Sequence, residues 1–195
     1  MYSHRPIQYV QHLDISSSVA VILTYFVHLE FCILKLLPGQ PKADIEHQVT
    51  SQDPTSKLLG SNQQDYFSIV RWMSFANSSL LPAIGGIILP VIRQPIEVHM
   101  DDQDCLRILR RDCKTLEDHL QKSKYLVGDQ LTLADLFTVG LLFGAYMLLH
   151  KTLTAEYPRL TEWFNEVYTM PMIESVAGPL HKLDIPVPAL LKSEG

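Results

Sequence analysis

The stretch Tyr125-Leu-Val-Gly-Asp-Gln-Leu-Thr-Leu-Ala-Asp-Leu136 constrains the fold more than any other, because it spells a turn followed by the start of a buried helix. The opening backbone amides of a helix have no intrahelical acceptor. Thr132 is placed to take the Asp135 N–H on its Oγ while the Asp135 carboxylate returns to the Thr132 N–H, a capping box with Asp where Glu is commoner. Leu131 and Leu136 flank the pair as a hydrophobic staple, and a carboxylate in the first turn suits the positive end of the helix dipole. Cap and staple together are worth about 1–2 kcal/mol. The helix so begun is expected to run from Leu133 to about His150. It carries no charge between Asp135 and Lys151, so it belongs at the buried centre of a bundle.

The neighbouring segments supply the rest of that bundle. Asp65 to Leu81 has Tyr66, Ile69, Met73 and Ala76 at helical spacing, with Trp72 and Phe75 as a second apolar side. Pro82, Gly85-Gly86 and Pro90 are expected to kink or end this helix and its continuation. From Asp102 to Ser123 the residues Leu106, Leu109, Cys113, Leu116 and Leu120 recur at steps of three and four, while Arg107, Arg110, Arg111, Lys114 and Glu117 are expected to face solvent. Glu156 to Tyr168 places Leu160, Trp163, Phe164 and Val167 on one face, and Pro171 to Ala177 reads as a short helix closed by Gly178. The tail from Pro179 reads as extended chain.

Ahead of the bundle the pattern changes. Ile7 to Leu13 alternates in part like a strand, and Asp14 to Ser18 is a polar break. Val19 to Leu37 is apolar and about as long as a membrane span, but Glu30 and Lys35 interrupt it, at a cost of about 2.5–3.5 kcal/mol for a charge at a bilayer centre. The preferred reading divides it into a helix, about Ser18 to His28, and a buried strand, about Glu30 to Leu36, ended by Pro38-Gly39. Strand, helix and strand open a thioredoxin-like lobe. The expected domains are 1–58, a truncated lobe of that kind, and 59–195, an all-α domain.

Composition narrows the class of function. With 195 residues, 47% hydrophobic and 19% charged, the chain is globular rather than disordered. A net charge of -5 with dispersed Lys and Arg does not provide a nucleic-acid surface. Cys32, Cys105 and Cys113 are odd in number and lack metal-ligand spacing, so neither a disulfide framework nor a metal site is expected, and the setting reads as reducing and intracellular. The first residues do not form a typical signal peptide.

Tyr125 to Leu136 resembles the capping motif of the glutathione transferase α-domain. The resemblance extends over about Val49 to Leu190 through Lys57-Leu-Leu-Gly, Asp65-Tyr-Phe-Ser-Ile-Val-Arg-Trp-Met-Ser-Phe-Ala-Asn, Leu80-Leu-Pro-Ala and Tyr157-Pro-Arg-Leu-Thr-Glu-Trp-Phe. It is nearest to the branch that includes the gamma subunit of translation elongation factor 1B. That subunit has a further C-terminal domain, whereas this chain stops at Gly195, so a stand-alone, fungal-type glutathione-transferase-like protein is the better match. The implied fold is mostly α, a small truncated α/β lobe followed by an all-α bundle.

What the resemblance implies about chemistry is a glutathione thiolate delivered to an electrophile held between the lobes. A hydroxyl donor at a helix N-terminus lowers the thiol pKa. Alignment puts Ser18 at that donor position, with Ser16 and Ser17 as alternatives; helix capping is the competing role for all three. Asp65 and Arg71 are candidates for the charged ends of glutathione, and Trp72, Phe75, Phe143 and Tyr146 for an apolar substrate wall; surface pairing or core packing is the competing role for each. In the family a cis-proline and a Glu-Ser pair hold the peptide. Here only Gln40 to Ala43 separates the second strand from the third helix, and Pro41 and Lys42 stand at the Glu-Ser positions, where neither can accept hydrogen bonds through a carboxylate or hydroxyl. Weak glutathione affinity, or a differently built site, is the consequence. The shortening also leaves a sheet edge open to pairing with another chain.

The expected protein is a cytoplasmic, homodimeric glutathione-transferase-like enzyme. It uses glutathione as co-substrate, for conjugation or double-bond isomerisation of an electrophilic small molecule such as an enone, as in a tailoring step of specialised metabolism. The alternative is a non-catalytic interaction module of the elongation-factor kind, and a membrane anchor at Val19 to Leu37 is a minor third.

Overall fold

In the computed structural model the described residues are 57–91, 102–171, 173, 178–180 and 182, all within one compact unit, Pro38–Gly195. The strand, helix and strand expected between Ile7 and Leu36, most of the short helix after Pro171, and nearly all of the tail lie outside them. Among the described residues regular structure is helical throughout: α1 (Gln63–Phe75), a π turn (Ala76–Leu80), α2 (Leu81–Val91), α3 (Asp102–Leu120), α4 (Leu133–Glu156) and α5 (Pro158–Tyr168).

α1, the π turn and α2 follow one another without a break, so of the two outcomes expected at Pro82 and Gly85-Gly86, a kink or an end, the helix does not end there. Pro82 has no N–H to give and its ring presses on the carbonyl four residues earlier. The turn just ahead of it widens instead, with the Leu81 N–H reaching back to the Ala76 carbonyl. A π turn absorbs the misfit without unravelling the helix.

α4 is the centre. By length and composition alone it would pass for a membrane span. Its place inside the bundle accounts for that composition, since residues on all its sides are buried. α2 reaches it at Gly144, where an added Cβ would lie 2.2 Å from Ile88 Cδ1, closer than two carbons can sit. Glycine is the residue that lets the two helices touch. The α4 backbone leaves helical angles at Leu149 (φ -124°, ψ 25°) and resumes to Glu156, so the expected end near His150 is a kink rather than a terminus.

α3 buries Cys105, Leu106, Leu109, Cys113, Leu116 and Leu120, the face its periodicity predicts. Glu117 does not face solvent as expected. It is buried, and its Oε2 accepts the Leu160 N–H at 2.7 Å while Oε1 accepts the Arg159 N–H at 3.3 Å. α5 begins with Pro158 behind Tyr157, which supplies no side-chain cap, so its orphan amides take a carboxylate from α3 instead. Arg159 answers in kind: its Nε donates to the Leu120 carbonyl at 3.1 Å, satisfying the end of α3. Each helix caps the other.

On α5, Leu160, Trp163, Phe164 and Val167 are fully buried. Tyr146 of α4 stacks on Phe164 with centroids 3.9 Å apart, Phe164 stacks on Tyr168 at 5.5 Å, and Tyr168 stacks on Phe143 at 5.7 Å. This column of rings is the α4–α5 interface.

Candidate functional site

Two helix N-termini, those of α1 and α4, carry most of the polar detail the sequence singled out. At α4, Thr132 and Asp135 form the capping box. The Asp135 Oδ2 accepts the Thr132 N–H at 2.9 Å and the Thr132 hydroxyl at 3.0 Å. Its Oδ1 reaches further, accepting the Leu126 N–H at 2.9 Å and the Trp163 Nε1–H at 3.1 Å. Burial pushes this carboxyl above the ordinary carboxylate range, against the pull of these four hydrogen bonds. One side chain therefore joins the turn, the α4 cap and α5.

At α1 the cap is Asn62, whose Oδ1 accepts the Asp65 N–H at 2.9 Å. The Asp65 carboxylate accepts the Ser61 N–H and the Asn62 Nδ2–H, each at 2.9 Å. Asp65 thus holds the entry to its own helix. Arg71 is exposed, six residues on, and six helical steps carry it about 120° round the axis from Asp65. The structure does not bring these two candidates together.

The four aromatic candidates fall into two groups. Trp72, 9% exposed, meets Phe75 edge to face at 5.7 Å and the His119 ring at 4.6 Å. His119 in turn has Nε2 3.0 Å from the Leu126 carbonyl. Phe143 and Tyr146 belong to the α4–α5 column; Tyr146 is 0% exposed, and its hydroxyl pairs with Thr161 Oγ1 at 3.0 Å. Among the described residues, then, Trp72 and the half-buried Phe75 sit together on α1, while the other two rings are packed away in the core.

Cys105 and Cys113 are buried, and burial, followed by the nearby Asp112 and Glu156, pushes the Cys113 thiol up. Burial likewise pushes the Tyr146 hydroxyl up, so it stays a phenol. A thiolate is favoured by the opposite surroundings. Ser16, Ser17 and Ser18 lie outside the described residues, and so do Pro41 and Lys42. The sequence reading missed Glu117, Arg159 and Asp112. Asp112 is a buried α3 carboxylate that accepts from Ser79 of the π turn and, at 2.9 Å, from Arg111 Nε.

Residues 80–171, which include the α4 capping box and the α5 face built on it, match the family model of the glutathione S-transferase C-terminal domain. This stretch is a glutathione S-transferase C-terminal domain. Across 137 residues the chain is 37% identical to glutathione S-transferase mdpJ of Emericella nidulans, covering 69% of this chain and 65% of that one. The chain spans 65% or less of the length of that protein and of three further fungal glutathione S-transferases it matches. The fold agrees with the transferase URE2P6 of Phanerochaete chrysosporium, solved in complex with oxidised glutathione (TM-score 0.58, 20% identity, covering 70% of this chain and 64% of that one). It agrees also with the GST-like domain of elongation factor 1-gamma from Saccharomyces cerevisiae (TM-score 0.62, 23% identity, 76% and 73%). In the transferase domain the buried Asp135 and the Glu117–Arg159 exchange fix the frame.

Proposed function

We propose that the protein is a glutathione-transferase-like enzyme acting on an electrophilic small molecule, in a tailoring step of specialised metabolism. The observation that supports this reading is the 37% identity to a fungal glutathione S-transferase over 137 residues. In the proposed reaction the glutathione thiolate adds to the β-carbon of an enone and the resulting enolate takes up a proton, giving a conjugate. Addition, rotation and loss of the same thiolate gives double-bond isomerisation with no net consumption of glutathione. Ser18, or Ser16 or Ser17 in its stead, is the hydroxyl donor to the sulfur. Asp65 and Arg71 are kept as candidate contacts to the ends of the peptide, and Trp72 with Phe75 as the apolar wall. Phe143 and Tyr146 act from behind, through the core. A cytoplasmic homodimer is the working form.

Calorimetric titration of the purified chain with glutathione, repeated on Ser18→Ala, tests the proposal. Saturable binding that the substitution preserves, with turnover of a model enone reduced about 100-fold, is the expected result for a lost charge-stabilising donor. Absence of binding at millimolar glutathione sinks it. The agreement with the elongation factor 1-gamma domain then favours the second reading, a non-catalytic interaction module.

A further inference from the structure

Through the π turn and α2 the buried residues Ala76, Leu80, Ile84 and Ile88 follow one another at steps of four. An α-helix turns about 100° per residue, so each such step drifts about 40° round the axis. In an unbroken α-helix Ile84 and Ile88 would stand about 80° and 120° from Ala76, while Ala83 and Ile87 would stand within about 20° of it. The π turn takes up one extra residue, with the Leu81 N–H on the Ala76 carbonyl, and so turns the following chain back by about 100°. Ile84 and Ile88 thereby come within about 20° of Ala76, on the face that Ile69 and Trp72 bury in α1. These two are the side chains that lie against Gly144 of α4, while Ile87 is only half-buried. The π turn therefore selects which residues of α2 face the central helix.

The sequence here is written in doublets: Ser78-Ser79, Leu80-Leu81, Gly85-Gly86 and Ile87-Ile88. Closing the π turn to an α turn moves each later residue into the place its successor held. At the doublets that exchanges Ser for Ser, Leu for Leu, Gly for Gly and Ile for Ile, with Ile87 arriving on Gly144. We propose that α2 is a register-shift element with two packed registers one residue apart, exchanged by loss and recovery of the π turn. Three features make the π register the ground state. In an unbroken helix the Pro82 ring presses on the Ser78 carbonyl. The slip also replaces Ile84 by Ala83 and leaves space unfilled. Finally, the Ser79 hydroxyl donates to the buried Asp112 of α3 and accepts from Arg111 Nη2 at 2.8 Å, pinning the turn from outside.

Methyl relaxation dispersion on the isoleucine δ1 groups of the full chain tests this, because helix register shifts fall in the microsecond-to-millisecond range. Ile84, Ile87 and Ile88 are expected to share one exchange rate, while Ile69, ahead of the turn, gives a flat profile. Pro82 is exposed, so Pro82→Ala opens no cavity, and by removing the clash it is expected to raise the minor population about tenfold. Ile87→Asn carries a polar side chain onto Gly144 only in the second register, and is expected to abolish the exchange. Flat profiles at Ile87 and Ile88 in both the wild type and Pro82→Ala overturn the proposal. Exchange at Ile88 that survives unchanged in Ile87→Asn, or that reaches Ile69 at the same rate, overturns it as well. If Ile87→Asn does not fold, the wild-type and Pro82→Ala profiles decide by the same criteria.

Discussion

At the scale of single residues the decisive group is Asp135, because four donors from three parts of the domain converge on one buried carboxylate. An amide in its place keeps one acceptor oxygen and turns an NH2 towards the remaining donors. At about 1–3 kcal/mol for each buried donor left unpaired, Asp135→Asn is expected to lower stability by about 3 kcal/mol. A urea titration followed at Trp163 should show the midpoint falling with the slope unchanged. Since burial raises the folded pKa of Asp135, its own contribution falls as pH climbs from the ordinary carboxylate range through the folded value. Glu166 behaves in the opposite way. Burial is the largest single influence on it and pushes upward, but hydrogen bonds from Tyr125 and Lys124 outweigh this and hold its carboxyl below the usual range. Its contribution is present above the ordinary carboxylate pKa and is lost as pH falls through the folded one. Glu166→Gln should therefore give a shallower loss of melting temperature on acidification than the wild type. The group is largely exposed, so added salt should shrink the difference.

Between elements the close approach of α2 and α4 offers the sharpest test. Gly144→Ala forces a methyl against Ile88 Cδ1, and overpacking of this kind costs about 1–3 kcal/mol. Ile88→Val removes that very atom. The double variant is expected to be more stable than the two single losses added together, and a double-mutant cycle on chemical denaturation measures the coupling. Additivity would mean that the helices slide apart instead. The exchange of caps between α3 and α5 belongs to the same scale. Its geometry explains why a short helix opening on Pro158 with no cap of its own stays fully packed at Leu160 and Trp163.

For the whole molecule, the calorimetric titration with glutathione separates an enzyme from an interaction module. Much of the bundle was legible in the sequence, for a plain reason. Helical period, a capping box four residues long and an uncharged run from Leu136 to Leu149 are local properties that the chain carries wherever it is placed. The apolar faces of α3 and α5 were read correctly on the same ground. What could not be read is whatever depends on who the neighbour is. Glu117 looks like a solvated charge until α5 arrives, some 42 positions later, with amides to satisfy. Tyr146 and Phe143 look like pocket walls until Phe164 and Tyr168 stack on them. Pro82 looks like a kink or a stop, and only the structure shows the π turn that absorbs it. Over the described residues the sequence by itself determined which segments are helices and which one is central. Only the tertiary structure decided which charges are buried, because burial of a charge is stabilised by partners that distance along the chain does not reveal.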